Sequence, residues 1–103
     1  MQTNLAYTGL NARSEPRDQV LHRARAMRRD GSTLPVTIVD LSPHGLMART
    51  DAPFSAGERI TVSLPVIGLL RAEVRWALGG RIGCQLDPAV PTARYYELLA
   101  AMR

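Results

Sequence analysis

Two arginines four residues apart, Arg13 and Arg17, and an Asp-x-Ser-x-x-Gly run, Asp40, Ser42 and Gly45, have the types and spacing to do chemistry in this 103-residue chain. The guanidinium group is a planar fork of donors that suits planar anions in a way an ammonium cannot match. Charge placement points the same way. All thirteen basic residues are arginine, and residues 13–29 hold six of them against two acids, while the other 86 residues carry seven of each sign. The net charge of +4 therefore sits in one N-terminal stretch, as expected of an anionic partner met locally. The absence of lysine is read as codon usage in a GC-rich genome, and Arg23, Arg25, Arg28 and Arg29 as a solvated strand face that adds long-range attraction.

Other chemistries find no support. Asp40, Ser42 and His44 have the types of a hydrolytic triad, but three residues within a five-residue stretch cannot readily converge on each other's polar atoms. There is no Walker loop or GxGxxG, so nucleotide turnover is not expected, and no enzyme is. The single Cys84 leaves no disulfide, and no Cys/His cluster has zinc spacing, so neither metal nor cofactor is expected. The longest apolar run, residues 64–70, is far short of the ~20 residues of a membrane span. Residues 1–8 lack the basic and apolar regions of a signal peptide, so a soluble cytoplasmic domain is the expectation.

Residues 1–19 carry neither period 2 nor period 3.6 and are read as an irregular, mobile N-terminal arm; residues 20–103 are read as one folded unit. Val20, Ala24 and Ala26 alternate with Arg23 and Arg25, which predicts a strand. A turn at residues 30–33 leads to the β-branched run Val36-Thr37-Ile38-Val39, a second strand. Residues 41–45 read as a loop and 46–49 as a short pairing segment. Residues 59–64 and 70–76 alternate polar with apolar, with Leu64, Val74 and Trp76 as core candidates; residues 81–86 repeat the pattern with Ile82, Cys84 and Leu86 inward. After Pro91-Thr92, the spacing of Tyr95, Leu98, Leu99 and Met102 predicts a helix covering the core. The expected fold is all-β: a six-stranded antiparallel barrel with a C-terminal helix.

Arg13-Ser14-Glu15-Pro16-Arg17 and Asp40-Leu41-Ser42-Pro43-His44-Gly45, in this order and separated by one strand, resemble the RxxxR and [D/N]xSxxG signature of the PilZ domain family. The resemblance runs from residue 13 to about residue 102. It implies a receptor for the bacterial second messenger cyclic di-GMP, built on a six-stranded barrel. Arg13 and Arg17 would clamp phosphate or guanine, Asp40 would accept from the N1–H/N2–H edge of a guanine, and Ser42 would donate to a ligand oxygen. Gly45 would allow a positive φ or a close backbone approach. Gly83 matches a recurrent family glycine and is included in the expected site, and Trp76 matches a recurrent strand aromatic, read here as core. Ala12, just before the first motif, implies one ligand per domain. The arm would become ordered on the ligand and signal to an as yet unidentified downstream protein.

Two alternatives stand beside this. A PilZ-like interaction module without ligand would usually lack the motif arginines, and both are present. A nucleic-acid-binding barrel would need aromatic platforms on its strand faces. Here Tyr95 and Tyr96 fall in the helix, Tyr7 in the arm and Phe54 in a turn, so nucleic acid is not the expected partner.

Overall fold

A computed structural model describes residues 16–103; the expectations for the arm at 1–15, including Arg13 and Ala12, lie outside the described residues. Among the described residues six strands, β1 (Asp18–Arg28), β2 (Thr33–Ser42), β3 (Gly45–Arg49), β4 (Arg59–Leu64), β5 (Gly68–Leu78) and β6 (Arg81–Leu86), precede one helix, α1 (Thr92–Met102). The strands close into an antiparallel barrel in the order β1-β2-β3-β6-β5-β4. Closure leaves no open sheet edge.

The interior is filled by the alternation the sequence displays. Ala26, Ile38, Ala48, Val62, Val74 and Ile82 are buried from six different strands. Cys84 and Leu86 also point inward, as expected. The turn at residues 30–33 forms around Gly31 at φ 91°, where Asp30 Oδ1 accepts from the Ser32 amide at 2.9 Å. Such a φ is open to glycine without a Cβ clash.

Helix α1 covers the core with Tyr95, Leu98, Leu99 and Met102, the stripe the spacing predicts. The Tyr95 hydroxyl lies 2.7 Å from Asp18 Oδ2 and 3.0 Å from the Leu41 carbonyl oxygen, and Arg103 pairs with Asp18 at 3.4 Å. The helix is thereby fastened to the first residue of β1, two residues before the start that alternation suggests.

Two sequence expectations are corrected. Trp76 is not in the core: a bulge between Val74 and Trp76 on the β5–β6 ladder inserts an extra residue, so the inward phase ends at Val74 and Trp76 turns outward, 43% exposed. Arg28 is not a solvated surface charge. Its Nε donates to Glu58 Oε2 at 2.7 Å, its Nη2 donates to the Pro53 carbonyl, and its guanidinium lies 4.6 Å from the centre of the Phe54 ring. It fastens the long β3–β4 connection to the barrel, and Phe54 is buried beneath it.

Candidate functional site

The Asp-x-Ser-x-x-Gly run is a tight hairpin. Ser42 ends β2, Gly45 begins β3, and the two are register partners across Pro43 and His44. The Gly45 amide donates to Ser42 Oγ at 3.2 Å, and that hydroxyl donates back to the Gly45 carbonyl at 3.4 Å. Ser42 is buried, and its hydroxyl braces the turn from within. Gly45 is not among the residues with positive φ; a Cβ there would sit 2.9 Å from the Cys84 carbonyl oxygen. Close approach to β6 is what requires glycine at this position. The turn is further pinned by the Val90 amide donating to the Pro43 carbonyl and the Leu86 amide to the His44 carbonyl, both at 2.8 Å.

Asp40 faces outward because of a second bulge. The β2–β3 register shifts between Ile38 and Asp40, so Ile38 and Leu41 are buried while Val39 and Asp40 both reach the surface. Strict alternation from Ile38 would have turned Asp40 inward. Outside, its Oδ2 lies 3.7 Å from Nη1 of Arg17, just ahead of β1. Arg17 of the first motif and Asp40 of the second, with the whole of β1 between them in sequence, meet here. At that distance the contact is an ion pair without a hydrogen bond, and the Arg17 side chain is half exposed. Such a pair contributes under ~1 kcal/mol and leaves both groups able to engage a ligand.

From Asp40 a single row crosses the barrel's outer face. Asp40 is the register partner of Met47, Met47 of Gly83, and Gly83 of Trp76. With strands about 4.8 Å apart, Asp40 and Trp76 stand about 14 Å apart across this row. Gly83 is essential to its shape: a Cβ there would collide with Nε1 and Cε2 of Trp76, so the indole lies over the bare backbone of β6. The result is an exposed aromatic surface at one end of the row and a carboxylate–guanidinium pair at the other. Arg17, Asp40 and Gly83, three of the expected site residues, lie along this face, and Trp76 joins them through a bulge that nothing in the residue pattern marks.

The family model for the PilZ domain matches residues 11–100. The chain belongs to the PilZ domain family. No curated protein matches it. PilZ domains are a family of binding domains and not a catalytic family. Among the described residues no cluster of His, Cys, Asp and Glu could hold a metal, and no helix is long and apolar enough to cross a membrane. Both motif segments and the Gly83–Trp76 pair fall within the matched PilZ region.

Proposed function

We propose that this PilZ domain is a receptor for cyclic di-GMP and that the ligand sits on the outer face of β2, β3, β6 and β5, between Arg17 and Trp76. The observation that carries the reading is the row Asp40–Met47–Gly83–Trp76, with Arg17 beside its first member. A compact ligand with two guanines and two phosphates needs stacking surfaces, an acceptor for the N1–H/N2–H edge, and cations. Trp76 offers the first, Asp40 the second and Arg17 the third. Arg13, the other arginine of the first motif, supplies a second cation for the ligand. Ser42, Gly45 and Gly83 act on the ligand indirectly, the first two by fixing the hairpin that carries Asp40, the last by letting the indole lie flat. One ligand is bound per domain, and its phosphates gather the arm carrying Arg13 against the barrel. That newly ordered surface is what a downstream protein reads, within the cytoplasm.

A nucleic-acid barrel is less well supported. Among the described residues Trp76 is the one aromatic side chain on the outer strand face, with Phe54 and Tyr95 buried and Tyr96 on the helix. Binding several bases in a strand needs several such platforms.

Trp76 is the single tryptophan of the chain, so its emission reports the site directly. Titration with cyclic di-GMP should change that emission saturably, and GTP or a short single-stranded DNA at equal concentration should not. Emission unchanged by cyclic di-GMP but altered by DNA would favour the nucleic-acid reading.

A further inference from the structure

The outer row next to the candidate site is built of arginine. Arg49 and Arg81 are register partners across β3 and β6, and the row continues through Thr37 to Arg23 on one side and to Leu78 on the other. Arg23, Arg49 and Arg81 are all exposed. Among the described residues none of these three makes an ion pair, whereas Arg17, Arg28, Arg94 and Arg103 each meet a carboxylate at 3.7 Å or less. Like charges directly opposite on neighbouring strands repel and reduce stability unless an anion lies between them.

We propose that Arg49 and Arg81 form a second phosphate subsite, which takes the cyclic dinucleotide phosphate farther from Arg17. The inference rests on the cyclic di-GMP reading and adds to it two residues outside either signature motif. Arg49 follows Met47 by two residues on β3, and Arg81 precedes Gly83 by two on β6, so both stand on the same face as the Asp40–Trp76 row. The offset along the strands is about 7 Å, which an extended arginine side chain spans. The ligand carries its phosphates on opposite sides of its ring. Arg17, at the β1 end of the row, can neutralise one of them. With guanines placed near Asp40 and against Trp76, the other phosphate lies over β3 and β6, where the facing arginines are.

A rival cluster is less suited to this role. Arg29, Arg59 and Arg71 share a groove at β1, β4 and β5 with Glu73 and Asp87, and Arg59 faces Glu73 in register. Opposite charges at facing positions already compensate one another there. The Arg49–Arg81 pair has no such counterpart.

The test is calorimetric titration of cyclic di-GMP into the wild type, the Arg49→Ala/Arg81→Ala and Arg49→Lys/Arg81→Lys double variants, and Arg29→Ala as a control for net charge. The alanine pair should bind at least tenfold more weakly and the lysine pair within about threefold of wild type, with Arg29→Ala unchanged. Without ligand, the alanine pair should melt at a higher temperature than the wild type, because the facing repulsion is gone. Wild-type binding matched within twofold by the alanine pair would overturn the second subsite while leaving the receptor reading intact. An equal loss in Arg29→Ala would reduce the effect to overall charge and overturn it as well. A wild type that does not bind would remove both.

Discussion

Trp76 lies across Gly83, its indole occupying the space that a side chain at position 83 would need. The pair explains how an exposed tryptophan can be held in one orientation: the bulge turns it outward, and the missing Cβ gives it a floor. Gly83→Val should evict the indole without disturbing the interior, since the collision is on the outer face. The single-tryptophan emission should shift to the red, and cyclic di-GMP should bind about tenfold more weakly or worse, matching the ~1–3 kcal/mol of a base–aromatic stack. Trp76→Ala should weaken binding to a similar extent while leaving the fold intact. An unshifted emission spectrum in Gly83→Val would show that the indole is not seated there.

Arg28 ties the β3–β4 connection down through Glu58, the Pro53 carbonyl and the Phe54 ring. Its guanidinium and the Glu58 carboxylate are each only 24% exposed, so the pair is less screened than a surface one. Arg28→Ala should cost about 2 kcal/mol, read as a melting temperature lower by roughly 10 °C, with ligand affinity little changed. Arg28→Lys should restore less than half of the loss, because one ammonium cannot serve all three partners.

Tyr95 joins the helix to the start of β1. Tyr95→Phe keeps the buried ring and removes the hydroxyl that lies against Asp18 and the Leu41 carbonyl. A loss of about 1–2 kcal/mol in chemical denaturation is expected. Amide exchange should quicken first at the start of β1, next to Arg17, because that is where the clasp holds the strand.

Cys84 is buried, and desolvation pushes its thiol up from an ordinary value of 9.0 to about 12. The folded state therefore keeps its proton where the unfolded state loses it. That contribution to stability is complete below about pH 8.5 and declines as pH rises from there toward 12. Stability measured from pH 8 to 11 should fall less steeply in Cys84→Ala than in wild type, and a thiol reagent at pH 8 should label the native wild type only slowly. Fast labelling under native conditions would contradict the burial.

Most of the barrel was legible in the sequence because strand alternation and turn residues act locally. The runs at 59–64 and 81–86 and the helical stripe from Tyr95 to Met102 specify their elements without reference to the rest of the chain. What escaped depends on pairing between strands. The bulges beside Asp40 and Trp76 are mismatches of register, visible only once β2 lies against β3 and β5 against β6. The need for glycine at position 45 comes from the Cys84 carbonyl, some forty residues away in sequence. Likewise Arg28 reads as one of a string of surface arginines until Glu58 and Phe54 are folded against it. The motif residues Arg17 and Asp40 could be picked out by type and spacing; that they face each other could not.

The central claim is that Arg17 and Asp40 form one end of a cyclic di-GMP site on the barrel's outer face, and calorimetric titration of Arg17→Ala and Asp40→Ala beside the wild type tests it most directly. Cyclic di-GMP should bind the wild type, and each substitution should weaken binding by at least the ~1–3 kcal/mol of a charge-assisted contact, with melting temperatures close to wild type. Binding that persists undiminished in both variants would contradict the account.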